Sequence, residues 1–488
     1  MKFIYIFLLV GVCFRSTFSQ DLVKYSLDDI INIAQSESPE VKLAEIRKSN
    51  AYWNYQSFLG DYKPQIDLSI DAPQLNRSVS PITQNNGTTV FIEQSQMRSN
   101  VSVGLFQNVT ATGARVFAST GIQRLDIFKT STIPSDISYL SNPISFGFTQ
   151  PLFGFNDLKW RKKINPLIYE ESKYVFSEDM EAVANQAVNN YFELMVAQLN
   201  LKASIDRKSV ADTLYELGVK RFGVGNIAET ELLQLQMDVM RTDSDIARSK
   251  LNVQTTNERL RDFLGITEQT DFDLELPDGV PEVIIDQDVA LGYSRQNRSR
   301  IKQLKRLLLE AERNMERTKA EAGINGQITG NLGVSGFGGS IGNAYNGLVD
   351  NEQISLSLTI PIADWGKNKA NYEIAKSNYD LVALNTSLEK VNFERDVVIA
   401  VQQFGLVQDN VKLARLSYET SQKRYDLTRK RYLIGKIEIT DLTLAESEQE
   451  NQRKQYIQAI SDFWKAYYNI RSLTLYDFIN NVSLVKEE

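Results

Sequence analysis

The strongest constraint on this chain is that it repeats itself. The segment "SFGFTQPLFGFND" (145–157) lies over "SLSLTIPIADWGK" (355–367), setting Pro151 on Pro361 at an offset of 210. Further along, "KRFGVGNIAETEL" (220–232) lies over "KRYLIGKIEITDL" (430–442). This pairs Lys220, Arg221, Gly225 and Ile227 with Lys430, Arg431, Gly435 and Ile437, again at 210. Two anchors about 70 residues apart that hold one register without a gap mark a duplication. Whatever one unit builds, the chain builds twice.

Both units run in the same order. Each opens on helical periodicity interrupted once, at Ser38-Pro39 in the first copy and near Asn297-Arg298-Ser299 in the second. Strands follow: Ile66, Leu68 and Ile70 alternate with Asp67, Ser69 and Asp71, and Ile328, Leu332 and Val334 are spaced around glycines. A loop and a returning strand lead to the proline. The first copy carries extra material, "NVSVGLF" and "ARVFASTGI" around "QNVTATG", which has the pattern of an additional hairpin within or beyond the wall the other strands form.

Long helices come next, from about 156 to 222 and from about 366 to 432. At 1.5 Å per residue each would reach roughly 100 Å, more than a globular core needs. The seam of the second, Ala414, Tyr418, Ser421, Tyr425, Thr428 and Tyr432, is small and polar, which suits a hollow, water-facing wall. After Gly225 and Gly435 the helical pattern resumes and returns for about half that distance. A stretch with prolines, "ITEQTDFDLELPDGVPEVIID", links the copies.

The strand "ISLSLTI" has one oily face, Ile354, Leu356, Leu358 and Ile360, and one hydroxyl face, Ser355, Ser357 and Thr359. Such a strand fits a barrel wall between lipid and water. No run of 18 apolar residues follows the N-terminus, so a β-barrel is the way left to cross a membrane. Each copy has two clear strands, too few to close a cylinder. Four per chain and twelve from three chains would suffice, so closure by oligomerisation is expected.

Composition narrows the function. The first residues, "MKFIYIFLLVGVCFRSTFSQ", have the charged start, apolar core and Thr17-Phe18-Ser19 site of a cleaved export signal. Its removal takes Lys2 and Arg15 and no acid, so a formal charge of −7 becomes −9. Cys13, the only cysteine, lies within this segment, and Val12 before it argues against lipidation. With no histidine in the chain, the mature protein has no thiol nucleophile, disulfide, imidazole metal ligand or His-based triad. No catalytic, metal or cofactor residue is expected, and the acidic balance argues against nucleic acid as a partner. The loop "GVSGFGGSIGNAYNG" misses the dinucleotide spacing and is expected to be an exposed connection between strands.

The junctions "FGFTQPLF" and "LSLTIPI" and the paired segments "RFGVGNIAETELLQLQ" and "RYLIGKIEITDLTLAE" resemble the TolC family of outer-membrane efflux ducts, and the resemblance covers essentially the whole mature chain. Arg431, Tyr432, Gly435, Asp441, Leu442 and Ala445 fit the family pattern; in the first copy Glu231 replaces the aspartate and Leu235 stands where alanine is usual. The resemblance implies an α+β membrane protein: a homotrimer whose 12-stranded barrel lies in outer-membrane lipid and continues into an antiparallel helical tunnel in the periplasm. It also implies docking to a periplasmic adaptor (membrane fusion) protein and an inner-membrane pump. Gly225 and Gly435, where each helix must reverse, would then sit with Arg221, Ile227 and Ile437 at the adaptor-contacting tip. Asp441 and Glu231 would form carboxylate rings at the entrance, beyond their effect on helix dipoles. Arg431 and Tyr432 would hold that entrance closed.

The expected organisation is a signal at 1–19, a first repeat at 20–266 (strands 65–150, helical hairpin 156–265), an inter-repeat equatorial segment at 267–285, a second repeat at 286–473 (strands 326–361, hairpin 366–472) and a tail at 474–488. The expected function is the exit duct of a tripartite efflux system, not an enzyme. A duct for type I protein secretion is the alternative within the fold, and a coiled-coil scaffold or adhesin the alternative outside it.

Overall fold

The computed structural model describes residues 24–485 apart from 86, 131–133 and 278. The expected export signal, with Cys13, lies outside them. The first copy runs through β1 (Lys24–Tyr25), α1 (Leu27–Glu37), α2 (Pro39–Gly60), β2 (Gln65–Thr83), β3 (Thr89–Val109), β4 (Ala114–Ile127), β5 (Asp136–Leu152), α3 (Asp157–Gly223) and α4 (Glu229–Leu264). After β6 (Asp273–Leu274) the second copy has α5 (Gln287–Asn297), α6 (Ser299–Glu321), β7 (Asn325–Gly338), α7 (Ile341–Ala344), β8 (Val349–Thr359), α8 (Lys367–Leu433) and α9 (Ile439–Thr474). Short β9 (Tyr476–Asp477) and β10 (Val482–Ser483) close the described chain.

Local chemistry accounts for the breaks. Ser26 and Asp29 form a capping box that starts α1. Ser38 then ends that helix and caps the next, with Pro39 at its first position, where a missing N–H costs nothing. Asn156 caps α3 through Lys159 N, and Asp364 accepts from the N–H groups of Gly366 and Asn368 ahead of α8.

The long strands form one antiparallel sheet in the order β2-β3-β4-β5-β7-β8. It holds six strands, where clear alternation in each copy had suggested four. The extra hairpin, β3–β4, is paired along its length, with β2 on one side and β5 on the other. Alternation made these segments visible as strands, but their neighbours are set by long-range pairing. Two smaller differences concern the second copy. Ile360, expected on the lipid face of the strand, lies one residue beyond β8. The glycine-rich segment from Gly333 is strand as far as Gly338 and then makes the one-turn helix α7.

The sheet is two-faced. Ile66, Leu68 and Ile70 of β2 and Ile354, Leu356 and Leu358 of β8 project from one side and are exposed, Ile354 at 76%. Asp67, Ser69, Ser355 and Ser357 occupy the other side, because successive residues of a strand point to opposite faces. The core lies in the helical part, where Ile30, Val188, Tyr191, Phe192, Leu260, Phe404, Phe463 and Tyr467 are buried together from five helices. Phe272 and Leu274 of the inter-repeat segment seal one side of it, and β6 pairs with β1. In the same region Arg471 forks onto Glu181 at 3.0 and 3.0 Å and reaches Asp477 at 3.1 Å. Tyr467 and the N–H groups of Ile479 and Asn480 also donate to Asp477. No described helix is long and apolar enough to cross a membrane.

Candidate entrance at the helix turns

At the end of the helices away from the sheet, each long helix reverses on a glycine. Gly225 has φ +74° and Gly435 φ +70°. The following N–H groups fold back: Asn226 N donates to Arg221 O at 2.8 Å, and Lys436 N to Arg431 O at 3.0 Å. This is the left-handed cap that satisfies carbonyls a helix end leaves open. The turns are open space around both glycines. Ile227 is half-buried, its side chain near Gly218 of α3, and Ile437 packs on a small cluster of Leu214, Leu235, Tyr432, Ile439 and Leu442.

The structure joins some of the expected residues and separates others. Tyr432 is not at the surface: its ring is buried in that cluster, with 2% exposed. Burial raises its phenol pKa, and the Glu231 carboxylate adds to the rise while Arg221 opposes it. The cation lying across the ring is Arg221, 5.4 Å from the ring centroid, and its guanidinium donates to Leu433 O at 3.2 Å and Tyr432 O at 3.5 Å. Arg221 ends α3 and Tyr432 ends α8, so this contact ties one repeat to the other. Arg431 is exposed on its helix, with no side-chain hydrogen bond or ion pair among the described residues. Asp441 stands exposed in the first turn of α9 and Glu231, half-buried, in that of α4.

Sequence reasoning missed a second link. About four helical turns inward, Arg207 of α3 reaches Glu446 at 3.4 Å and Asp245 at 3.8 Å, and also pairs with Glu450. They border a cavity of about 180 Å³ that Asp238, Arg241 and Leu442 help to line. Burial raises the carboxyls of Glu446 and Asp238 above the usual range; Lys454 and Arg207 hold Glu450 low although burial works against them. The signal was present as a broken repeat. At the offset of 210, Arg207 corresponds to Ser417, Glu446 to Gln236 and Glu450 to Met240. The charges of this particular link thus occur in one copy only. Among the described residues no group of histidine, cysteine or carboxylates is placed to hold a metal ion.

A two-faced sheet on a long helical shaft with paired turns at its far end matches known channels. The crystal structure of the Campylobacter jejuni CmeC outer membrane channel superposes with a TM-score of 0.66 at 16% identity, covering 94% of this chain and 87% of that one. A membrane protein from Pseudomonas aeruginosa gives 0.67 at 15%, covering 96% and 94%. The open state of the Neisseria gonorrhoeae MtrE outer membrane channel gives 0.60 at 13%, covering 92% and 88%. These likenesses establish the fold. No curated protein matches the sequence. The family model for outer membrane efflux proteins matches residues 30–266 and 297–474, one block in each copy. The chain belongs to the outer membrane efflux protein family, and its place is the cell's outer membrane with the helical shaft in the periplasm.

Proposed function

We propose that three copies of this chain join head to tail into one duct, through which small molecules leave the cell passively, driven by an inner-membrane pump that engages the helix turns through a periplasmic adaptor. One observation carries the reading: a single sheet with an exposed apolar face, a polar face, and two unpaired edges, β2 and β8. Edge strands of that length need partners. A second copy supplies them if the β8 edge of one chain meets the β2 edge of the next. The helices support the same join. Leu381, Leu384, Leu388 and Val391 form an exposed row on α8, the helix beside one edge, and Leu43, Ile46 and Trp53 form another on α2, beside the other. A heterologous contact of this kind closes into a ring.

In that ring the turns at Gly225 and Gly435 face the adaptor, with Ile227 and Ile437 as its apolar footing. Asp441 and Glu231, each in the first turn of a returning helix, line the narrow end as carboxylates, which favour cations. The tie of Arg221 to the end of α8 keeps that end shut. Selectivity for cargo rests with the pump, because a water-filled path makes few specific contacts.

The test is conductance in planar bilayers. The protein should form discrete cation-preferring channels, and Asp441→Ala should lower the preference and weaken block by divalent cations. Absence of conductance from correctly assembled protein would defeat the duct. Co-extraction of a polypeptide-secretion transporter instead of a small-molecule pump would assign it the other cargo.

A further inference from the structure

The β3–β4 hairpin widens the sheet by half, and its residues match the wall on either side. On the apolar face the register runs Ile66↔Leu105, Leu105↔Ala118, Ala118↔Phe146 and Phe146↔Leu332, and meets a polar residue, Glu352, on the last strand. A second row starts beside the polar Gln107 of β3 and runs Val116↔Phe148, Phe148↔Gly330 and Gly330↔Ile354. The band steps obliquely across the strands, as strands tilted in a barrel require. On the hairpin it includes Val101, Val103 and Leu105, and ends beyond Ile122, where Arg124 and Asp126 pair at 2.7 Å on the same face. Ser102, Ser119 and Gln123 make the other face polar at mid-strand, with Phe106 and Phe117 side by side on that face nearer the turn, 6.4 Å between ring centroids. The 14 residues of β4 exceed the roughly 9–11 that a tilted strand needs to cross a bilayer.

The hairpin is also fastened at its helix-side end. Its turn lies against the points where helices enter the sheet: Asn156 Nδ2 donates to Thr110 O at 2.9 Å, and Gln150 Nε2 to Thr112 O at 3.0 Å. Asn108 Nδ2 donates to Asp61 O at 3.1 Å and Gln107 Nε2 to Tyr62 O at 3.0 Å, both just past the end of α2. These bonds hold the hairpin at the same height as the four strands that connect to helices. Gly113, with φ +75°, makes the tight turn between them.

We propose that the β3–β4 hairpin is part of the membrane-spanning wall, its outer face in contact with lipid acyl chains, so that the duct is an 18-staved cylinder rather than a 12-staved one. The count rests on the trimer proposed above, with six strands from each of three chains. At a strand spacing of about 4.8 Å and a tilt near 40°, the backbone radius rises from about 12 Å to about 18 Å, and the enclosed cross-section roughly doubles. A bore that wide does not sieve small solutes, which leaves sieving to the helix turns.

Spin labels on single cysteines test this, in a background where the sole cysteine, Cys13, is replaced. Labels at Val103→Cys and Ala118→Cys report the outer face of the hairpin, labels at Ser102→Cys and Ser119→Cys its inner face, and Leu356→Cys is the reference on β8. The protein is reconstituted in phosphatidylcholine vesicles, and collision with dissolved oxygen is compared with collision with a water-soluble nickel chelate. The outer positions should show oxygen-to-nickel ratios within about twofold of Leu356→Cys and several-fold above the inner positions. Ala118→Cys, a small change, serves if Val103→Cys misassembles. Nickel-accessible outer positions beside an oxygen-rich Leu356→Cys would put the hairpin outside the bilayer, overturning the proposal while leaving the duct intact. A nickel-accessible Leu356→Cys would bring down the duct as well.

Discussion

Arg221→Ala removes the tie between α3 and the end of α8, and its effect can be sized from the contacts. Two charge-assisted bonds are lost, at 3.2 and 3.5 Å, from a half-buried guanidinium to the carbonyls of Leu433 and Tyr432, the latter also accepting from Gly435 N. At those lengths, and partly in water, they contribute about 1 kcal/mol together, and the cation over the Tyr432 ring about 1 more. If the entrance opens by separating the α3 end from the α8 end, the closed state loses about 2 kcal/mol per chain, roughly a 30-fold shift toward opening. Single-channel recording of the variant should show the open fraction rising by about that factor or more, while thermal stability of the assembly barely changes. Arg431→Ala is the control, because that side chain makes no such contact, and its gating should match the parent. Equal gating in parent and Arg221→Ala, or a larger effect from Arg431→Ala, would refute the assignment of the tie.

Arg471→Met leaves Glu181 and Asp477 buried without their cation and should cost about 3–5 kcal/mol, read as lowered unfolding temperature in detergent. Burial holds the Glu181 pKa above its unfolded value, so its protonation favours the fold. The deficit of the variant should therefore be largest near pH 8 and shrink as pH falls toward 5. Hydrogen bonds from Tyr467 and Asn480 hold Asp477 low against its burial, so its contribution is lost only below about pH 4, outside that window. A deficit independent of pH would contradict this. Leu356→Arg should hinder membrane assembly by about 2–4 kcal/mol if that face meets mid-bilayer lipid, and normal yields of assembled protein would mean the faces are reversed. Gly435→Ala should destabilise the turn by about 1–2 kcal/mol through positive φ alone, with Gly435→Asn milder; local hydrogen exchange checks it, and identical protection in all three would count against a conformational role.

The duplication made the architecture legible, because a strand, a proline and a long helix recur at one spacing and each copy constrains the other. Helix ends were visible where side chains cap them, as at Ser38-Pro39. Strand number was less legible. Residues 97–128 alternate well enough to be strands, but a hairpin inside the wall and one projecting from it have the same local pattern, and only pairing with β2 and β5 distinguishes them. The entrance shows the same limit. Arg221 and Arg431 occupy equivalent places in the repeat, so sequence could not say which reaches across. That depends on α3 packing against α9 without an equivalent contact from the other copy, and on Arg207 meeting Glu446 and Glu450. Tyr432 stood in the expected segment, yet its burial is shared between nearby Ile439 and Leu442 and the distant Leu214 and Leu235 of the first copy.

The most direct measurement is the mass of the purified protein in detergent, with the micelle subtracted by light scattering and refractive index. A sheet with two open edges and an oily face predicts a detergent-bound particle of three chains. A stable monomer that stays in solution without detergent would mean the strands never join a wall through lipid.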